Sequence, residues 1–391
     1  MRTGYSERVR PLRIAHVLQK ASFTTGSVWQ MFEAARGLAA RGHRVMAVTR
    51  PSDEMSSRCA QAGVEHIAMG LHNQLDLGSM RRLAGVIAER CIEILHAHRG
   101  IAQAVALGAF RFGAPVALVA SRGVTFRPGL VTRLAFCSPR LHRVVCACEA
   151  VRRALAEALE LPAGKLDVIY PGVDLARFDR AQTKPERVRS ELGLGEGVRV
   201  IVQVGLRHWK GWKELLAAFA RVREEHSNAH LLLVGCRTVR QRSGVTGLAA
   251  ELGLGGAFTA TLARVDIPDV LSAAAVVVDA SWAGTGISGP IREAMALGIP
   301  VVATAVGGNS ELVEHGVDGL LVPARDVATL AAGISRLLRD PALAAQLAGA
   351  GGEKVRARFS NESRTTRLEA CYHAVLAETG AASPDLRRAH R

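Results

Sequence analysis

From Val276 to Val322 the chain reads VVVDASWAGTGISGPIREAMALGIPVVATAVGGNSELVEHGVDGLLV, and this stretch constrains the fold most because it predicts two strand-loop-helix units in succession. The apolar run Ala275–Val278 ends at Asp279, then Gly284, Gly286 and Gly289 break it. Arg292–Leu297 restarts with helical spacing until Gly298 and Pro300 stop it. A second strand begins at Val301–Ala303, turns at Gly307-Gly308-Asn309-Ser310, and opens another helix at Glu311–Val313. A helix that starts just after a glycine loop offers unpaired N–H groups and a positive dipole end to an anion. Both helix starts are therefore expected to handle phosphate.

At 391 residues the chain exceeds the size at which one core usually keeps growing, which predicts two domains. The 49% hydrophobic content supports cores of that size, and no uncharged apolar run is long enough to span a membrane. The start, MRTGYSERVRPLR, lacks the apolar centre of a signal peptide, so a cytoplasmic protein is expected. Seven cysteines scattered from Cys59 to Cys371 read as reduced core residues, since they match neither a disulfide framework nor zinc-ligand spacing. Residues 1–175 carry 23 Lys/Arg against 13 Asp/Glu, a balance of +10, while residues 176–391 carry 27 against 22, or +5. The basic first half suits an anionic membrane surface. Nucleic acid is not expected, because no basic run is interleaved with aromatic side chains.

Short buried strands are predicted at Pro11–Val17, Arg44–Thr49, Glu93–Ala97, Val116–Ala120 and Arg143–Cys146, with helices such as Val28–Ala40 and Ser79–Arg90 between them. A polar segment, Arg177–Gly197, precedes a fresh strand at Val198–Val204 and repeats of the same scheme. The fold class is therefore α/β, with two Rossmann-like doubly wound domains facing across a cleft, residues 1–175 and residues 176–360. A last helix, about 361–380, is expected to pack back on the first domain, and the basic tail Ala381–Arg391 to fray. Ligands of such sheets sit at the carboxyl ends of the strands.

Five segments in order carry a family resemblance: Thr24-Thr25-Gly26-Ser27, Leu95-His96-Ala97-His98, Val168-Ile169-Tyr170-Pro171-Gly172-Val173-Asp174, Val204-Gly205-Leu206-Arg207-His208-Trp209-Lys210-Gly211, and Arg292–Val302. Together they resemble the retaining nucleotide-sugar glycosyltransferases of family 4, including bacterial lipopolysaccharide and exopolysaccharide enzymes, over nearly the whole chain. The resemblance implies the B-type glycosyltransferase fold, a nucleoside-diphosphate-sugar donor, a lipid-linked or polysaccharide acceptor, and transfer without a metal or other cofactor. Consistent with this, the chain carries no Asp-x-Asp or His-Glu-x-x-His motif.

Arg207 and Lys210 stand where the family neutralises the donor diphosphate, although their spacing is shorter than the family's usual one. Glu293 matches the carboxylate that accepts hydrogen bonds from the ribose hydroxyls, a task suited to an acceptor-only group. His98 matches the histidine that contacts the donor sugar, while His96 is expected on the opposite face of the strand, in a structural role. The backbone around Gly286, Ile287, Ser288 and Gly289 is expected to line sugar and phosphate. Gly26, Ser27, Arg99, Arg122 and Arg127 are expected on the acceptor side. One position departs from the pattern: eight residues before Glu293 stands Thr285, where the family has its first glutamate. That substitution keeps open a nucleotide-sugar-binding protein with weak or no transferase activity, and an epimerase or hydrolase on the same fold. A dinucleotide oxidoreductase is disfavoured, because neither half shows G-x-G-x-x-G after its first strand with an acidic residue about 20 positions on.

Overall fold

The computed structural model describes residues 10–114 and 116–380, so the predicted tail Ala381–Arg391 lies outside the described residues. The first sheet has seven strands: β1 (Arg13–Val17), β2 (Arg44–Thr49), β3 (Glu65–Ala68), β4 (Ile94–His98), β5 (Ala117–Arg122), β6 (Leu141–Cys146) and β7 (Leu166–Val168). Their spatial order is 3-2-1-4-5-6-7, all parallel. The second sheet contains β8 (Arg199–Val204), β9 (Ala229–Cys236), β10 (Phe258–Leu262), β11 (Val276–Asp279), β12 (Val301–Thr304) and β13 (Leu320–Val322). Its order is 10-9-8-11-12-13, again parallel. Each sheet reverses its winding once, between β1 and β4 and between β8 and β11. That switch opens a crevice above the strand ends.

Continuous apolar runs form these strands because helices cover both faces of a parallel sheet. Every residue of β11 is buried, and alternate residues serve two cores: Val276 and Val278 on one face, Val277 on the other. All four edge strands escaped the sequence reading: β3 and β10 are half-exposed and carry the polar residues a rim tolerates, and β7 and β13 are three residues each. Helices Asp53–Gln61, Gly100–Ala109, Leu130–Cys137, Glu149–Leu159 and Pro185–Glu191 were also missed.

Helix Asn361–Thr379 buries Leu368, Cys371, Tyr372 and Val375 against Met31, Ala35 and Leu38 of helix Gly26–Ala40. To reach that site the chain crosses beside Val173, whose N–H donates to Phe359 O at 2.8 Å while Asn361 N–H returns a bond to Val173 O at 3.0 Å. Gly172 is required there, because a Cβ would lie 2.7 Å from Asn361 Cα. The second glycine loop of the opening stretch departs from expectation: its helix is a single turn, Asn309–Leu312, too short to build a useful dipole. The cysteines are all free, but not all are core residues. Cys91 is half-buried and Cys137 exposed. No described helix is long and apolar enough to cross a membrane.

Candidate functional site

The loop after β8 carries Arg207 and a one-turn helix, His208–Lys210, closed by Gly211 at φ +62°. A Cβ on Gly211 would collide with the Ala280 carbonyl, so glycine lets this loop lie against the end of β11. The buried Gln203 side chain fastens the two loops: its amide donates to Lys210 O at 3.0 Å and its carbonyl accepts from Ala280 N–H at 3.0 Å. Lys210 Nζ then reaches Asp279 Oδ2 at 2.7 Å. The Asp279 carboxylate also accepts from Ser281 N–H and the Ser288 hydroxyl. Burial raises its pKa, but the Lys210 charge and these hydrogen bonds together outweigh that and hold the carboxyl below its usual value. Asp279, which the sequence reading left without a role, is therefore the anchor of Lys210.

Because the Ser288 hydroxyl turns to Asp279, it leaves the start of helix Gly289–Ala296 uncapped. At the start of that eight-residue helix Pro290 has no N–H, which leaves the Gly289 and Ile291 N–H groups to face an anion. Glu293 on it is half-buried, and its carboxylate has no hydrogen-bond partner among the described residues. Burial pushes its pKa up, against the pull of Arg292 and Arg177. Arg292 is only 2% exposed, and its Nε is buried without a partner. Burial lowers its pKa to about 10.

Thr285 is buried, and its hydroxyl donates only to Ala283 O, at 3.4 Å. The loop around it abuts the first domain. A Cβ on Gly286 would lie 2.6 Å from Gly123 O, and one on Gly284 would collide with the Phe126 ring. Ile287 packs against cores of both domains. Phe126 in turn meets Trp209 edge-on at 5.2 Å.

Across the cleft, His98 ends β4. The structure corrects the placement of His96: residues two apart on a strand share a face, and the two rings stack 4.3 Å apart. His16 of β1 joins them, sharing a 2.9 Å hydrogen bond between its Nδ1 and His98 Nε2. His96 bonds Tyr372 Oη at 2.6 Å and Ser121 Oγ at 2.7 Å. Burial holds all three imidazoles neutral, with His16 lowered to about 3 and the nearby Arg364 charge adding to the effect. These three are the one group of possible metal ligands among the described residues, with ligand atoms within 4.8 Å of one another. His16 and His98 share one bond and both His96 nitrogens are taken by Tyr372 and Ser121, which makes the cluster a support for His98, although His16 Nε2 is buried without a partner among the described residues.

Arg99 follows with φ +79°, a backbone conformation rare for a side-chain-bearing residue, at the start of helix Gly100–Ala109. Its guanidinium reaches Ser27 Oγ at 3.4 Å. Gly26 is exposed at the start of helix Gly26–Ala40, which has no side-chain cap. The Arg122 guanidinium donates to the carbonyls of Val124 and Phe126 and so shapes its own loop, while Arg127 stays exposed. Lys20 was not singled out from sequence. Its pKa is lowered first by burial and then by Arg99, Arg207, Arg237 and Arg50, which marks a set of cations drawn from both domains. A cavity of about 480 Å³ lies beside them, lined by Leu206, Arg207, His208, Trp209, Arg237, Thr238 and Gln241. Lys20 and Arg237 each follow a strand end, the position where a sequence reading should look for anion-binding cations.

A second interdomain tie was also missed. Glu311 accepts from the N–H groups of Glu149 and Ala150 at 2.8 Å each, and from Tyr170 Oη at 3.0 Å. The carboxylate thus caps helix Glu149–Leu159 of the other domain.

Two family models match complementary parts of the chain: Glycosyltransferase Family 4 over residues 24–177 and Glycosyl transferases group 1 over residues 198–340. Together these two matches support a family 4 glycosyltransferase. Among curated relatives it is similar to the 2-deoxystreptamine glucosyltransferase of Streptomyces kanamyceticus, 33% identical over 231 residues. That match covers 58% of this chain and 59% of the relative's length. Among solved structures, a glycosyltransferase from Rickettsia africae superposes with a TM-score of 0.82 at 21% identity, covering 94% of this chain and 99% of that one. Anabaena HepE in complex with UDP-glucose gives 0.80 at 22% identity, covering 92% and 99%. Both structures share the two-domain B-type glycosyltransferase fold with this chain.

Proposed function

We propose that this family 4 member transfers a hexosyl or related glycosyl group from a nucleoside-diphosphate sugar to a lipid-linked or polysaccharide acceptor of the cell envelope, with retention and without a metal. The observation that carries the reading is Lys210, held at the cleft by the buried Asp279 and set on the same domain as the unpartnered Glu293. Lys210 and Arg207 neutralise the donor diphosphate, and Glu293 accepts hydrogen bonds from the ribose hydroxyls. His98, braced by His16, contacts the donor sugar. The bond from the anomeric carbon to the phosphate oxygen breaks as the acceptor oxygen bonds that carbon on the same face. The acceptor proton passes to the departing phosphate, so no separate base is needed.

UDP-hexoses are the first donors to test, given the glucosyltransferase relative and the UDP-glucose complex of HepE. The basic first domain supports work at the inner face of the cytoplasmic membrane, on glycans such as lipopolysaccharide. Thr285 favours a second reading, a nucleotide-sugar-binding protein of little or no transferase activity, because it removes the carboxylate that would face a developing positive charge. Epimerisation or hydrolysis of the donor is the third outcome to separate.

A thermal-shift screen of UDP-, GDP-, ADP- and CMP-sugars, followed by product analysis with and without acceptor, tests all three. A ligand at about 100 times its dissociation constant stabilises the fold by about 2.7 kcal/mol. A shift with one nucleotide series plus acceptor-dependent product supports the transferase. A shift without turnover supports the binding protein, and no shift with any nucleotide sugar overturns both.

A further inference from the structure

Helix Leu130–Cys137 turns its apolar side outward: Leu130 is 73% and Leu134 66% exposed, with Val131 and Cys137 also open, while Ala135 and Phe136 face the core. An amphipathic helix normally buries that side. Beside it, Leu75 (83%) and Leu77 are exposed as well. The two segments meet over Gly100, where Gln74 Nε2 and Thr132 Oγ1 both lie within 4 Å of the position a Cβ would take. Large side chains left in water on adjoining segments mark an interaction face.

The charge around this face indicates its partner. From Ile94 to Cys148 the sequence has seven arginines and no lysine, aspartate or glutamate. Arg133 lies on the exposed side of the helix and Arg127 just before it. A folded protein partner would be expected to meet such a field with carboxylates at discrete positions, whereas exposed leucines flanked by the exposed Arg127 and Arg133 match the layering of an anionic bilayer, with acyl chains beneath phosphate groups. The face also adjoins the cleft. Phe126, four residues before Leu130, packs on Trp209 at the cleft mouth, and Arg99 and Arg122 lie on the same stretch of chain.

We propose that helix Leu130–Cys137 and the loop carrying Leu75 and Leu77 form a docking surface for anionic lipid, with the leucines entering the acyl region and Arg127 and Arg133 at the phosphates. This deepens the membrane part of the proposed function and rests on it for its purpose: a docked cleft receives an acceptor without the lipid leaving the bilayer.

Co-sedimentation of the full chain with vesicles of phosphatidylcholine, alone or with about 30% phosphatidylglycerol, tests it. Selective binding to the anionic vesicles is expected. Leu130→Ser/Leu134→Ser should lower the partition coefficient about tenfold or more, an effect that persists at high salt. Arg127→Gln/Arg133→Gln should lower it about fivefold per arginine at low salt, and less as salt rises. These four side chains are exposed, so unchanged melting temperatures identify folded variants. Equal binding to both vesicle types, or leucine and arginine variants that bind like the parent, overturns the surface. A dimer that becomes monomeric in Leu130→Ser/Leu134→Ser and ignores vesicles overturns it too and assigns the face to self-association. UDP-sugar thermal shifts on the same proteins separate the two proposals, since loss of vesicle binding with an intact donor shift leaves the transferase reading standing.

Discussion

Lys210 Nζ lies 2.7 Å from Asp279 Oδ2, an ion pair that joins the loop after β8 to the last residue of β11. Asp279 is buried at 3% exposure, so removing its cation strands a carboxylate. Lys210→Ala should cost about 1–3 kcal/mol of stability, and Lys210→Ala/Asp279→Asn should recover part of that loss. Denaturant melts of the single and double variants test it; strictly additive losses would show that the pair is not coupled. Donor turnover in Lys210→Ala should fall by about 100-fold or more, because the leaving diphosphate loses a preorganised charge.

The Glu293 carboxyl has a raised pKa and no hydrogen-bond partner among the described residues, so it costs the unliganded fold stability. A folded-state pKa above the unfolded one gives stability that is present below the unfolded value near 4.5 and is lost as pH rises through the folded value. Glu293→Gln is therefore expected to melt at the same temperature as the parent or higher at neutral pH, while the donor-induced shift shrinks. If the variant melts lower and still binds UDP-sugar as well as the parent, Glu293 is a structural residue.

The histidine cluster has the opposite sign. Folded-state pKa values lie below the unfolded value near 6.5, with His16 at about 3, so the unfolded chain takes up protons first. Stability is full above about pH 6.5 and falls as the solution is acidified toward pH 3, by up to about 1.4 kcal/mol per pH unit for each histidine. Replacing His16 with Leu should flatten that decline by about one proton in melts taken between pH 7 and pH 5. An unchanged slope would mean that His16 is already solvated.

Gly211 combines φ +62° with contact against the Ala280 carbonyl. Gly211→Ala should cost about 2 kcal/mol or more, because both the backbone strain and the collision must be relieved by moving the loop. Lys210 is the adjacent residue, so the donor-induced shift should weaken with the melting temperature. A variant that loses stability but keeps full donor affinity would separate the loop's geometry from its role in binding.

The apolar runs by themselves determined the parallel α/β architecture, since a strand buried on both faces must be apolar throughout, as Val276–Val278 is. The glycine loop before the helical spacing at Arg292 likewise pointed to the helix that carries Glu293, while Lys210 is placed in the sequence by the family resemblance alone. The His96–His98 relationship was legible too, from the two-residue period of a strand, but was read to the wrong face. What only the tertiary structure decided is which of these loops meet. Asp279 finds Lys210 across 69 residues, His16 finds His98 across 82, and Glu311 finds the start of helix Glu149–Leu159 across 162. Local spacing sets side-chain direction within one element, whereas these meetings depend on strand order and on how two separately wound domains close, which arise from packing over the whole chain.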